Sequence, residues 1–294
     1  LIFFYILFKL RKFTQMRHLN LVLTPNKNRK FIKTSFGNIA YISKKPAKKI
    51  KGLVVIIPGF NDTADNLYKY CDIFVKNNYC VIIFDLCGRG YSDSTIYPND
   101  PQILSSVISQ CLLSLKITSK FHIVGYSMGG LIASEFSKNF PHLVKSLILV
   151  GPAGIKTNLP FIVKNFNFYP IGELLAIFVG ELLLKRHSSK INGEEIAEQD
   201  ILLLKKQHCN KRALFSSLLS SIRYMPWNTY NFSSITVKKF VIYSLNDGII
   251  DINDKNIHRF GDIESLELKD CKHRDLIKEN IAKEIVKYID ENNS

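Results

Sequence analysis

A chain of 294 residues, 46% of them apolar, is long enough to bury one large core. Its net charge of +15 is concentrated at the front, where residues 1–51 hold thirteen Lys or Arg and no acid before Asp62. The other 27 basic and 25 acidic residues nearly cancel, and no recognition module accompanies the charge, so a nucleic-acid partner is excluded.

In chain order, the apolar run Leu1 to Phe8 is followed by the basic cluster Lys9, Arg11, Lys12 and Arg17. Eight apolar residues cannot span a bilayer, which takes about 20. Residues 1–18 are expected to be a tail, either a truncated targeting or anchor segment or a lysine-rich appendage. Contact with an anionic membrane surface is one expectation for them. Leu53 to Ile57 reads as a buried strand and runs into Pro58-Gly59-Phe60. Phe84-Asp85-Leu86-Cys87-Gly88-Arg89-Gly90 has too short a glycine spacing for a dinucleotide fingerprint and reads as a structural turn.

The next apolar run, Phe121 to Val124, ends in Gly125-Tyr126-Ser127-Met128-Gly129-Gly130. A serine with glycine two positions either side, between a strand and a helix, is the sequence form of a nucleophile elbow. Such a turn holds the serine in a strained backbone conformation and crowds its neighbours, so glycine is needed beside it. The alternative role for Ser127 is a helix N-cap. Leu131 to Phe136 carries apolar residues at helical spacing up to Pro141, and Leu147 to Val150 reads as the following strand. A later strand-like run, Lys238 to Ser244, ends in Leu245-Asn246-Asp247-Gly248. Ile263 to Leu268 alternates as a half-buried strand does, and His273 follows it before a helix-like C-terminal stretch from Leu276 to Ile289.

Ser127, Asp247 and His273, in that order, resemble the α/β-hydrolase superfamily in its lid-bearing serine esterase and lipase (monoacylglycerol-lipase-like) branch. Pro58-Gly59-Phe60 is similar to that family's oxyanion turn, and Asp85 to Asp93 is similar to its Asp-x-x-Gly-x-Gly-x-Ser turn. The resemblance covers residues 30–290 and rests on five motifs. It implies an α/β-hydrolase fold: a mostly parallel eight-stranded sheet flanked by helices, with a helical lid insertion. Residues 19–152 and 236–294 would form the core and 153–235 the lid. The implied roles are Ser127 as nucleophile, His273 as base and Asp247 as its orienting acid, with the backbone N–H groups of Phe60 and Met128 as oxyanion donors. Phe60, Tyr126 and Phe178 are candidate substrate-binding residues. Pro58 departs from the family's usual histidine. Proline's fixed φ can still hold the turn, because the expected donor is two residues on.

Asp251 and Asp254 compete with Asp247. His18, His122, His142, His187, His208 and His258 compete with His273; His122 lies inside the strand before the elbow and reads as packed there. The expected lid contains the apolar run Ile171 to Leu184, interrupted by Glu173 and Glu181 and too charged for a membrane span. It suits an acyl-chain pocket, a membrane surface or plain packing on its own domain. No metal-site motif appears, and neither metal nor cofactor is expected. Six scattered cysteines favour reduced thiols, hence an intracellular protein, cytoplasmic or peripherally bound to membrane. The expected function is hydrolysis of a carboxylic ester of an apolar or lipid-like small molecule, with no obligate protein partner. Thioester, amide or C–C bond hydrolysis and a non-catalytic ligand-binding role are the alternatives.

Overall fold

The computed structural model describes residues 29–47, 49–68, 70–158 and 211–292. Eight strands form one sheet: β1 (Arg29–Thr34), β2 (Gly37–Lys44), β3 (Gly52–Ile57), β4 (Tyr79–Phe84), β5 (Phe121–Tyr126), β6 (Val144–Val150), β7 (Lys238–Ser244) and β8 (Glu264–Leu268). Their spatial order is β1-β2-β4-β3-β5-β6-β7-β8. Only β2 runs against the others; every pair from β4 to β8 is parallel. The helices are α1 (Tyr70–Lys76), α2 (Pro101–Ser114), α3 (Met128–Asn139), α4 (Lys211–Tyr224) and α5 (Glu279–Glu291).

The strand sequences explain the layering. The middle strands are continuous apolar runs such as Leu53-Val54-Val55-Ile56-Ile57, buried along nearly their whole length, as strands covered on both faces must be. One core gathers Val55, Ile57, Ile123 and Leu149 against residues of α2 and α3, including Leu104, Ile108, Leu131 and Phe136. The other gathers Val54, Ile56, Val124 and Ile148 against residues of α1 and α5, including Phe74, Ile281 and Ile285. Neighbouring residues of one strand thus serve opposite faces. Helix α2 starts where Asp100 caps it, its carboxylate accepting from the Ile103 N–H at 2.7 Å, with Pro101 in the first turn.

The expected α/β-hydrolase fold with its eight-stranded, mostly parallel sheet is present. The β1–β2 pair, which the sequence pattern did not announce, makes part of the basic front end into sheet. Arg29 is buried between Asp65 and Asp85, Lys44 pairs with Asp72, and Lys51 reaches Asp290 at 2.9 Å. Some of the charge at the front is therefore matched by acids of the body. Strand β8 lies at an edge with its side chains mostly exposed, more open than a half-buried reading implies. Leu276 and Ile277 fall in a separate 3₁₀ turn, His273–Ile277, and not in the C-terminal helix.

Residues 1–18, the run 171–184 and Phe178 lie outside the described residues. Of the interval 153–235, the described ends join the core: Met225, Trp227, Tyr230 and Phe232 are buried, and the Gly154 N–H donates to the Trp227 carbonyl at 2.9 Å. Among the described residues no helix is long and apolar enough to cross a membrane.

Among the described glycines, the one with least room for a side chain is Gly129, where α3 meets the end of β3. A methyl group on Gly129 would overlap the carbonyl oxygens of Ile57 and Pro58, which are backbone atoms and cannot swing aside. Gly129→Ala is expected to cost about 3 kcal/mol in urea unfolding, as an overpacked core does. Gly248→Ala, where nothing lies within 4 Å of the added carbon, serves as the control and is expected to stay within about 0.5 kcal/mol of the parent.

Candidate active site

Ser127 sits between the last residue of β5 and the first of α3 with φ +52° and ψ −120°. A side chain in that region stores about 1–3 kcal/mol of strain unless its surroundings hold it. They do so on both sides. The Ser127 N–H donates to the Val150 carbonyl at 3.0 Å, and the Ser127 carbonyl accepts from Gly130 at 2.9 Å and Ala153 at 3.1 Å. The glycines are demanded by proximity: a Cβ on Gly125 would lie 2.6 Å from the Gly129 carbonyl oxygen, and one on Gly130 2.8 Å from Pro152. Ser127 makes no side-chain capping bond, so the plain N-cap explanation fails.

Asp247 lies just past β7. One carboxylate oxygen accepts the N–H groups of Ile249 at 2.8 Å and Ile250 at 2.9 Å, which folds the turn around it. The other faces His273 Nδ1 at 2.6 Å, with both side chains nearly inaccessible to solvent. Asp251 is instead committed to Lys156 and Asn253, which hold its carboxyl below the usual range, and Asp254 is exposed. Of these three acids, Asp247 is the one that the geometry brings to His273.

His273 is placed by three supports. Tyr126 stacks on its ring, centroids 5.1 Å apart and planes at 28°, and donates its hydroxyl to the His273 carbonyl at 2.9 Å. Ser244, the last residue of β7, donates to the Cys271 carbonyl at 2.6 Å and so ties the loop before His273 to the strand before Asp247. Gly151, at φ +49°, lies beside the imidazole, where a Cβ would come 2.7 Å from Leu276 Cδ1 and 3.4 Å from Nδ1 and Cε1 of His273. Val150 accepts the Ser127 N–H and Gly151 faces the imidazole, so one dipeptide lies beside both residues. Of the rival histidines, His122 is buried against Ser146 Oγ at 2.7 Å, His142 and His258 are exposed, and His18, His187 and His208 lie outside the described residues.

The turn after β3 forms the opposite wall. Gly59 packs so closely that a Cβ would come within 2.7 Å of Asp62 Oδ2 and 3.0 Å of the Tyr126 ring. Phe60 is partly buried, its ring edge-on to Trp227 at 5.8 Å. Tyr126, expected to meet substrate, is only 4% exposed, and its ring and hydroxyl are both engaged by His273. Two side chains at the site were not singled out from sequence. Asp62 lies in the turn after β3, and burial pushes its carboxyl up against the opposing pull of the Asn66 hydrogen bond, Arg274 and His273. Arg89 is fully buried behind Phe60. Its signal was its place between Gly88 and Gly90, inside a turn that reads as purely structural. The turn does have that role as well, since Asp85 accepts from Arg29, Ala64 and Tyr91. Among the described residues no group of three or more His, Cys, Asp or Glu is placed to hold a metal ion.

The α/β-hydrolase fold model matches residues 52–190, which include the turn after β3, the turn after β4 and the elbow. A hydrolase of 2-hydroxy-6-oxononadienedioate and 2-hydroxy-6-oxononatrienedioate from Comamonas testosteroni is 32% identical over 94 residues, 32% of this chain and 33% of that protein. A second hydrolase of that name, from Pseudomonas putida, is 23% identical over 248 residues, 79% of this chain and 84% of its own. An esterase from Exiguobacterium antarcticum superposes with a TM-score of 0.69 at 18% identity, over 89% of this chain and 99% of that one. Sheet order, strained elbow and family match together give the chain the α/β-hydrolase fold.

The strain at Ser127 has a measurable consequence. Ser127→Gly is expected to be more stable than Ser127→Ala by about 1–2 kcal/mol in chemical denaturation, because glycine relieves the positive φ and alanine keeps it. Equal stabilities would mean that the elbow is unstrained.

Proposed function

We propose that the protein is a serine hydrolase that cleaves carboxylic esters of apolar substrates through an acyl-enzyme on Ser127. The observation that carries this reading is the buried Asp247–His273 bond of 2.6 Å beside a serine held at positive φ. With Nδ1–H donated to Asp247, the imidazole offers Nε2 to accept the Ser127 proton as Oγ attacks the ester carbonyl. The carbonyl π electrons move to oxygen, where the N–H groups of Phe60 and Met128 would receive the charge. Met128 is suited to this, because the first N–H of a helix has no acceptor within its own helix. Collapse of the intermediate expels the alkoxide, which takes the proton back from His273. Water then enters by the same route and releases the acid, returning Ser127 to its hydroxyl form.

A second reading has its own support. The relatives from Comamonas and Pseudomonas are named as hydrolases of 2-hydroxy-6-oxononadienedioate and 2-hydroxy-6-oxononatrienedioate, and hydrolysis of such an oxo-dienedioate by this chain would break the C–C bond next to its ketone. The same Ser127, His273 and Asp247 suit that reaction, in which the leaving group is a stabilised carbanion and not an alkoxide.

A fluorophosphonate probe and p-nitrophenyl esters of increasing acyl length test the primary reading, and a 2-hydroxy-6-oxo-dienoate tests the second. Wild type is expected to label at Ser127 and to turn over esters with an optimum chain length, while Ser127→Ala does neither. Labelling without ester turnover, together with cleavage of the oxo-dienoate, would replace the first reading by the second. Asp247→Asn is expected to lower kcat by about 10⁴, because the amide stabilises the wrong imidazole tautomer. A loss below tenfold would mean that Asp247 does not orient the base.

A further inference from the structure

Arg89 is the largest fully buried side chain among the described residues. Its three contacts come from three parts of the chain. Nε donates to the Phe60 carbonyl at 2.7 Å, Nη1 to the Cys87 carbonyl at 3.1 Å, and Nη2 to Ser221 Oγ in α4 at 2.8 Å. Among the described residues no carboxylate forms an ion pair with it. Burial pulls its ionisation down to about 10, so it stays cationic at neutral pH. A buried cation without a counter-ion is costly, and an aliphatic side chain of similar volume would fill the same space more cheaply. Simple packing therefore does not account for it.

The Phe60 carbonyl and the Phe60 N–H, the proposed oxyanion donor, lie in adjacent peptide planes hinged at one Cα, so only the two dihedrals of Phe60 separate them. Anchoring that carbonyl holds the Phe60 Cα in place and so restrains the turn that carries the donor. The other end of the guanidinium holds α4, the helix through which the chain returns from residues 159–210 to the core. Helix α4 is pinned to the same loop a second time, by Asn99, which donates its N–H to Ser220 Oγ at 2.9 Å and its side-chain amide to the Ser217 carbonyl at 3.1 Å. Just beyond α4, Trp227 lays its ring against Phe60.

We propose that Arg89 is a positioning residue that holds the Phe60 turn in its oxyanion-binding geometry and couples that geometry to the seating of helix α4. The catalytic part of this rests on the serine-hydrolase reading; the mechanical coupling does not. When α4 shifts, Ser221 draws the guanidinium with it, and the Phe60 donor leaves its aim. The positive charge adds a favourable field behind the place where the oxyanion forms, and a low-dielectric interior makes that field stronger than it would be in water.

The test uses the full chain and Arg89→Met, Arg89→Lys, Ser221→Ala and the Arg89→Met/Ser221→Ala double variant. Trp227 is the chain's single tryptophan, so its emission reports on the α4–Phe60 contact without any reaction. Hydrogen exchange of a peptide covering residues 58–62 reports on the turn. Both are expected to change in Arg89→Met and, to a lesser degree, in Ser221→Ala. Catalysis is normalised to sites titrated with the fluorophosphonate, which removes misfolded protein from the count. kcat is then expected to fall about 10–100-fold in Arg89→Met with KM within threefold, the signature of a donor lost in the transition state. Arg89→Lys, which keeps the charge and one donor, should lie between wild type and Arg89→Met. The double variant should be no slower than Arg89→Met, because Ser221 acts through Arg89. Unchanged Trp227 emission and unchanged exchange in Arg89→Met would overturn the coupling, even if wild type cleaved no ester. Altered emission with normalised kcat unchanged in an active enzyme would overturn the positioning role. An inactive wild type that fails to label at Ser127 would instead sink the hydrolase reading.

Discussion

The structure depends on how closely the N-terminus of α3 approaches the ends of β3 and β5. Gly129 rests on the Ile57 and Pro58 carbonyls, Gly125 on the Gly129 carbonyl, and Gly130 on Pro152, with no room for a methyl group at any of them. This contact forces the chain to turn from strand to helix within one residue, and Ser127 is that residue. Its positive φ is the cost of the turn. The hydrogen bonds to Val150, Gly130 and Ala153 spread that cost over β6 and α3, which are among the best-packed parts of the fold. Strain is thus stored at Ser127 and held by the backbone bonds of the elements on either side of it.

The remaining site groups collect at the same end because parallel strands all finish there. Asp247 follows β7, His273 follows β8 and the Phe60 turn follows β3, so loops far apart in sequence meet over the elbow. Buried polar groups then set each loop. Asp85, pushed up by burial, is matched by Arg29 and the N–H groups of Ala64 and Tyr91 and shapes the turn that carries Arg89. Ser244 links the acid's strand to the histidine's loop, and Tyr126 clamps the imidazole from below. Each buried donor or acceptor that finds its partner also removes a degree of freedom from the site, which is how polar burial becomes catalytic geometry.

The same economy applies to charge. The basic excess at the front suggested a separate electrostatic feature, yet Arg29, Lys44 and Lys51 each reach an acid of the body. Arg29 is structural despite its place in a basic stretch, because its side chain enters the core between Asp65 and Asp85. Arg89 is the opposite case, a cation in the interior whose partners among the described residues are two carbonyls, a hydroxyl and the Phe60 ring.

The elements legible in the chain before folding are those whose signals are local. Apolar runs of five or six residues gave the buried central strands, and the glycine pattern around Ser127 gave the elbow, because steric exclusion at a tight turn leaves a mark on adjacent residues. Chain order and position after a strand also indicated Asp247 and His273. The choice against Asp251 needed the tertiary structure, since only there does Lys156 claim the rival carboxylate. The β1–β2 pair was illegible because its mixed polar and apolar residues resemble any exposed segment until Asp65 and Asp85 arrive to pair with Arg29. Tyr126 reads as an active-site aromatic and becomes a support for His273 only when a loop 147 residues away folds over it. Arg89 looks like turn filling between two glycines, and its bonds to Phe60 and Ser221 span 29 and 132 residues. Local sterics are written in neighbouring residues, whereas long-range hydrogen bonds exist only once the sheet has brought their partners together.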